Sequence, residues 1–390
     1  MSWKQVLSLG RRLRFAKLAL KAQQSMSQLC RLFSISRRTG YKWRRRFEAE
    51  GARGLRERSH CPHRFPRQLL TRWLAEVRQL RRRHRSWGSR KLAAMLRRQH
   101  PRQGVPSVRT IDCWLKKLPW KRRRWCRSGR GPDLPRPTLS LAKRSNRVWT
   151  VDFKGWFRTG DGKRVEPLTV RDLFSRYILE VRVLPDQRWE AVQRVFVRLF
   201  HRYGYPVAIR TDNGRPFGSS GPAGLSKLSA WWTALGIEVE FMAPAHPEQN
   251  AGHEQMHGVF KAELTRPASK NRRAQQRRTD RWVKTYNEIR PHQALKQKTP
   301  AEVYRSRPGE TRQPVLAYPA GWAVRQVRSN GQIKWQGRKR SIGEAFAGYP
   351  VGLKSEGSGV WAVHFAGLLI GQLWAAGTGG MRPARQRPRR

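Results

Sequence analysis

Acidic residues are scarce in this 390-residue chain: 25 Asp and Glu stand against 83 Lys and Arg, leaving a formal net charge of +58 and a pI near 11.8. An excess of that size is more than a solvated face and calls for a polyanionic partner, with nucleic acid the first choice. Cysteine is scarce too. The four, Cys30, Cys61, Cys113 and Cys126, lie far apart with no Cys-x-x-Cys pair, which points to free thiols in a reducing interior. Cys30 and Cys113 fall among helical apolar positions and read as core. The run His60-Cys61-Pro62-His63 lacks the second ligand pair that a zinc site needs. Long apolar runs are missing as well: none approaches the roughly 18–20 residues that span a bilayer. The N-terminus has no extended h-region of a signal peptide. A cytoplasmic, nucleoid-associated protein is expected, with no membrane partner. A basic peptide for an anionic membrane surface is a much smaller object. A ribosomal or packaging protein would share the charge without needing 17 Trp and 14 Phe.

What is present is enough apolar material, 38% of residues, for real cores, in a length that allows two to four domains of about 100–200 residues. Residues 1–66 read as a helix-turn-helix domain. Arg11–Ala22 has helical periodicity, and a Ser25/Gln28 capping box opens a helix carrying Leu29, Leu32 and Phe33. After a break at Ser34-Ile35, Ser36 caps a third helix, Arg37–Glu48. Arg37, Arg38, Lys42, Arg44, Arg45 and Arg46 on it are candidate DNA contacts, while Tyr41, Trp43 and Phe47 supply its apolar contacts. The bland alternative is a three-helix bundle with a basic face. Residues 67–118 repeat the theme: helices Gln68–Arg83 and Ser89–Gln99, then one capped by Ser107 and carrying Ile111, Trp114 and Leu115. A second helix-turn-helix is expected there. Residues 119–146, rich in Lys, Arg, Pro, Gly and Ser, form a basic linker for phosphate backbone.

From 147 to 307 strands and helices mix. Arg147–Phe157 alternates, with Trp149, Val151 and Phe153 on one face and Thr150, Asp152 and Lys154 on the other. Strands Arg164–Val170 and Tyr177–Val183 follow, then helix Trp189–Tyr203, strand Val207–Thr211, helix Leu225–Leu235, strand Ile237–Met242 and a long helix Glu248–Leu264. That is the order of an RNase H-like α/β core. Residues 314–377 are β-like: Asn330-Gly331 predicts a type I′ hairpin between Ala323–Ser329 and Gln332–Gln336, and Ala366-Gly367 a turn between Val360–Phe365 and Leu368–Trp374. A small all-β barrel is expected, then a basic disordered tail over 378–390.

Three acidic residues carry the chemistry. Asp152 interrupts an apolar strand, Asp212 follows the strand Val207–Thr211, and Glu254 lies in the first turns of the long helix, with Asn250, His257 and Lys261 on its side at helical spacing. In-line phosphodiester cleavage needs an activated nucleophile and stabilised phosphate and leaving oxygens. Two Mg²⁺ or Mn²⁺ ions about 3.5–4 Å apart, held by carboxylates, meet those needs. Lys261, Asn213 and Asn250 are candidates for holding DNA beside them. Singly, each acid has a bland reading, since Asp212-Asn213-Gly214 is a common turn. His253-Glu254-Gln255-Met256-His257 also matches the His-Glu-x-x-His zinc motif, yet that reading leaves Asp152, Asp212 and the basic N-terminal half unexplained.

WTVDFKGWF (149–157), LTVRDLFSRYIL (168–179), IRTDNGRPF (209–217), HPEQNAGHEQMHGVFK (246–261), YNEIRPHQAL (286–295) and TPAEVY (299–304) resemble bacterial insertion-sequence transposases of the DDE type, whose core is related to retroviral integrases. LCRLFSISRRTGYKWRRRFEAEG (29–51) and RSNGQIKWQGR (328–338) extend the likeness over nearly the whole chain. It implies that Asp152, Asp212 and Glu254 bind the metals, with Lys261 the basic residue two helical turns past the Glu. It further implies binding of terminal inverted repeats, their cleavage, and transfer of the freed 3′-OH into target DNA. The partners are then double-stranded DNA and further copies of the chain, with no small-molecule substrate. Two departures stand out: Ala251 where many members have Gly, and a 42-position interval from Asp212 to Glu254, longer than the common pattern, with Gly218–Gly224 absorbing the difference. A degenerate copy that binds ends without cutting, or a plain nuclease, are the alternatives.

Overall fold

The computed structural model describes residues 3–58, 71–118, 139–243, 247–306, 312–314, 316–377 and 379–384. The His60–His63 run and most of the expected linker lie outside them. The chain divides into two units, Met1–Leu69 and Leu70–Arg390.

In the first unit, helices α1 (Trp3–Lys21), α2 (Met26–Leu32) and α3 (Arg37–Glu50) enclose a core of Phe15, Ala16, Leu29, Cys30, Trp43 and Leu55. The Ser25/Gln28 capping box and the Ser36 cap both form, satisfying backbone N–H groups that a helix start leaves unpaired. A methyl on Gly40 would come within 2.5 Å of Cys30 Sγ, so the α2–α3 crossing is tight. Arg12 lies over the Trp43 ring at 4.1 Å and donates to the Leu55 carbonyl at 3.1 Å. Tyr41, expected as an apolar contact, is exposed: it sits on the basic face, away from the core face of Trp43.

The second unit opens with α4 (Thr71–Arg83), α5 (Ser89–Gln99) and α6 (Val108–Lys117), the last capped by Ser107. Cys113, read as core, is exposed, because in this short helix Ile111 is the fully buried contact. Next come β1 (Val148–Phe153), β2 (Phe157–Arg158), β3 (Arg164–Asp172), β4 (Ile178–Leu184), α7 (Trp189–Tyr203), β5 (Ala208–Thr211), α8 (Lys227–Ala234), β6 (Glu238–Phe241), α9 (Ala251–Leu264), α10 (Arg272–Lys284) and α11 (Pro300–Val303). β1, β5 and β6 are parallel, and β3 is antiparallel to both β1 and β4. Trp149, Val151, Leu168 and Val170 pack against Phe196, Phe200 and Trp232 of α7 and α8 on one face. The other face takes α9 and α10, through Ile178 and Val181 against Met256, Phe260 and Trp282. This is the RNase H-like α/β core.

The C-terminal region adds β7 (Ala323–Gln326), β8 (Gln332–Trp335), β9 (Arg338–Ser341), β10 (Pro350–Gly357), β11 (Val360–Phe365), β12 (Leu368–Trp374) and β13 (Arg382–Pro383). They form a five-stranded sheet, β13-β12-β11-β10-β7, and a two-stranded sheet, β8-β9. Pairing among the described residues does not close the ring that a barrel requires. Asn330-Gly331 does not make the expected hairpin: β7 pairs β10, and β8 pairs β9. A type I′ turn needs positive φ at both central residues, and of this pair only Gly331 (φ +76°) has it. Arg382–Pro383, expected to be disordered, pair with Gly371 and Gln372 as an edge strand.

His292, between α10 and α11, is buried with Nε2 unpartnered. Burial, and then the charges of Lys91 and Arg290, push its pKa down to about 3. Below the ordinary His value of about 6.5 the unfolded chain takes up a proton that the fold refuses, so this group costs stability as pH falls from that value toward 3. The slope is up to about 1.4 kcal/mol per pH unit. Urea unfolding at pH 7 and pH 5 is therefore expected to show a smaller acid-induced loss in His292→Gln than in the parent; equal losses would refute the assignment.

Candidate active site

β1 and β5 pair in parallel register, Val148 with Ala208, Trp149 with Ile209 and Thr150 with Arg210. Continued by two residues, that register sets Asp152 level with Asp212 at the carboxyl ends of adjacent strands, which lie about 4.8 Å apart. Burial, then the Asp212 carboxylate and, more weakly, Glu254 raise the pKa of Asp152 to about 7. Burial also raises that of Asp212, against the pull of the Gly214 N–H that donates to it. Like charges so placed oppose each other's ionisation. Asn250, just before α9, donates from Nδ2 to Asp152 Oδ2 at 3.1 Å, while its Oδ1 is buried with no partner.

Glu254 lies in the first turn of α9 on its exposed side. Among the described residues no three His, Cys, Asp or Glu side chains lie close enough to hold one metal ion. The structure thus brings Asp152, Asp212 and Asn250 together, and Glu254 acts on Asp152 through its charge. Lys261, two turns along, is exposed. After burial, its charge is the main influence lowering the pKa of Lys154, so two ammonium groups flank the acids. The Asn213 amide nitrogen is committed to the Met242 carbonyl at 2.7 Å, tying the loop after β5 to the end of β6. Ala251 is the exposed first residue of α9. In the other unit, Arg37, Arg38, Lys42 and Arg45 are exposed on α3, while Arg44 pairs with Glu48 at 2.8 Å.

The face of β1 and β3 beneath α9 is polar but not solvated. Asp152 pairs with Thr169 and Thr150 with Arg171 across the two strands. Both His253 Nε2 (2.6 Å) and His257 Nε2 (2.8 Å) converge on Thr169 Oγ1, so the zinc reading of these histidines fails on geometry. Arg171 is fully buried, and burial lowers its pKa to about 10. Its Nε donates to Thr150 Oγ1 at 3.2 Å and its Nη1 to the Gly252 carbonyl at 2.6 Å. A methyl on Gly252 would stand 2.4 Å from Arg171 Nη2. Gly252→Ala is therefore expected to push the Arg171 guanidinium off the Gly252 carbonyl, loosening the first turn of α9, and, since a misplacement of about 1 Å can cost on the order of 100-fold, to lower the cleavage rate with DNA affinity nearly kept. A variant with unchanged cleavage would show that this approach is not limiting. Thr150, Thr169, Arg171 and Gly252 escaped the sequence reading; the available signal was the polar alternation Thr169-Val170-Arg171.

Residues 142–247 and 235–300 match the integrase core domain family. Residues 39–115 match a homeodomain-like domain, 11–63 a helix-turn-helix domain and 322–374 the C-terminal domain of IS481 family transposases. An uncharacterized 39.2 kDa protein of insertion element IS476 from Xanthomonas euvesicatoria is 30% identical over 62% of this chain and 67% of its own length. An uncharacterized 31.7 kDa protein of insertion element IS407 from Burkholderia multivorans is 32% identical over 45% of this chain, which spans 61% of that protein. Among solved structures, the HTLV-2 integrase catalytic core domain in complex with magnesium aligns with 42% of this chain and 100% of its own at 14% identity and a TM-score of 0.32. No helix among the described residues is long and apolar enough to cross a membrane.

Proposed function

We propose, for a chain that belongs to the DDE-type transposases of bacterial insertion sequences with an integrase-like core, that it binds the terminal inverted repeats of its element, cuts them, and joins the 3′-OH ends to target DNA. The observation that carries this reading is the parallel β1–β5 register, which continued past Thr150–Arg210 brings Asp152 level with Asp212 at the strand ends, with the charges of Asp212 and Glu254 both acting on Asp152. An all-oxygen donor set, crowded carboxylate charge and the orphaned Asn250 Oδ1 suit a hard divalent cation. Asp152, Asp212 and Glu254 would hold two Mg²⁺ or Mn²⁺ ions, which when bound supply charge stabilisation at the phosphate and an activated attacking oxygen. Asn250 orients the Asp152 carboxylate, and Lys154 and Lys261 receive the DNA phosphates.

In this reading 1–66 and 67–118 are the heads that bind the ends, with Arg37, Arg38, Lys42, Arg44 and Arg45 of α3 on the DNA. Residues 119–146 link them to the catalytic core 147–307, and 314–377 form a further small domain. Copies assemble on the paired ends, in the cytoplasm beside the nucleoid. The test is a terminal-repeat duplex incubated with the protein, Mg²⁺ and a supercoiled plasmid; nicked or linear plasmid joined to the duplex is the expected product, and nicking without joining would reduce the protein to a nuclease. End-binding is expected to weaken about 10³-fold or more between 50 and 200 mM salt, as for proteins contacting 6–10 phosphates. A flat salt response would contradict phosphate-led binding.

A further inference from the structure

Hydrogens are the clue to the network beneath α9. A threonine hydroxyl has one hydrogen and can accept two. That of Thr169 donates to the Asp152 carbonyl at 2.9 Å. The ring nitrogens at 2.6 and 2.8 Å must then both be donors, so His253 and His257 each carry their proton on Nε2. The remaining contacts agree. His253 Nδ1, now a bare acceptor, lies 3.0 Å from Thr150 Oγ1, which gives its own hydrogen there and accepts from Arg171 Nε. Every hydrogen in the chain Arg171–Thr150–His253–Thr169–Asp152 has a single destination. Neutral rings fit the spacing: Thr150 Oγ1, already accepting from Arg171 Nε, has its one hydrogen to give to His253 Nδ1, and His257 Nδ1 stands 3.9 Å from Asp152 Oδ2, beyond hydrogen-bond reach.

One consequence concerns His257. With its proton on Nε2, the ring turns a bare Nδ1 toward Asp152 Oδ2, 3.9 Å away. An N–H there would draw the carboxylate into a hydrogen bond or ion pair and set it in competition with a cation. A lone pair adds no donor beyond the Asn250 amide from which Oδ2 already accepts.

We infer that Thr169 is a positioning residue for the reaction: its one hydroxyl fixes the strand bearing Asp152 to the helix bearing Glu254 and sets the His257 tautomer that adds no further donor to the Asp152 carboxylate. The inference rests on Asp152 and Glu254 being metal ligands. It predicts loss of metal affinity when the hydroxyl is removed and recovery when it alone is restored. A partner behind a metal ligand is typically worth about 10–100-fold in affinity.

Two measurements test it. In the metal-free, DNA-free full-length protein, ¹⁵N-histidine NMR is expected to show His253 and His257, assigned by substitution, as Nε2–H tautomers. A protonated Nδ1 on His257 would overturn the inference, and this readout needs neither cleavage nor a Thr169 variant that folds. Next, Mn²⁺ binding followed by electron paramagnetic resonance is expected to weaken about 10–100-fold in Thr169→Val and to return close to the parent in Thr169→Ser. Equal Mn²⁺ affinity in the parent and a folded Thr169→Val would also overturn it. If the tautomers and Mn²⁺ affinities come out as expected while the parent joins no DNA, the transposase reading fails and the positioning role of Thr169 stands.

Discussion

Replacing Asp212 by asparagine is expected to lower cleavage of a terminal-repeat duplex by about a thousandfold or more, with binding of that duplex nearly unchanged. Asn keeps the size and the Gly214 contact but removes the charge that faces Asp152 across two adjacent strands. A direct corollary separates this from unfolding: the pKa of Asp152, raised first by burial and then by Asp212, should fall in the variant, which carbon-detected NMR of labelled aspartate can follow in metal-free protein. Cleavage at the parental rate by Asp212→Asn would remove the catalytic assignment outright.

The second large effect is on stability. Arg210 and Glu240, partners in the β5–β6 register, form an ion pair at 2.9 Å with both side chains about 7% exposed. Glu240 Oε1 also accepts from the Ser140 N–H at 3.0 Å, and Arg210 Nη2 donates to the Ser140 carbonyl at 2.8 Å. The pair thus fastens residue 140, where the chain emerges toward the core, to the outermost parallel strand. Arg210→Met leaves a buried carboxylate without its counter-charge, a change that typically costs about 3–5 kcal/mol. Arg210→Met with Glu240→Leu should recover most of that, because an apolar pair of similar volume has no charge to desolvate. Denaturant unfolding reads both. A single variant within about 1 kcal/mol of the parent would mean the site is wetter than its geometry implies.

Local signals were legible where they act within one element. The bounds of α5 and α7 and of β11 and β12 coincide with the expected ones, because 3.6-residue periodicity and the apolar runs on either side of Ala366-Gly367 are written in the segments themselves. Asn330-Gly331 misled for the converse reason. A turn forms there, with the Gly331 N–H donating to the Arg328 carbonyl at 2.9 Å, yet β7 finds its partner in β10, and nothing inside the segment encodes that choice. Asp152 and Asp212 were readable as acids at strand ends; their shared level depends on a parallel pairing of strands 60 residues apart in the chain, Thr150 with Arg210, which neither segment encodes alone. The polar alternation of Thr150, Thr169 and Arg171 shows which side chains share a face. It does not show that two histidines of α9 cover it.

α9 is gripped near both of its ends. At the start Arg171 takes the Gly252 carbonyl. Near the finish Glu263 meets Ser86 from the turn after α4, Trp282 Nε1 at 2.6 Å and Arg290 Nη1 at 3.5 Å. Eleven residues separate the grips, about 16 Å of helix rise. A spar clamped at two points resists torsion about its long axis, so the near clamp, two residues from Glu254, sets the bearing of the acid, and the far one keeps the rest of the helix from twisting away beneath it.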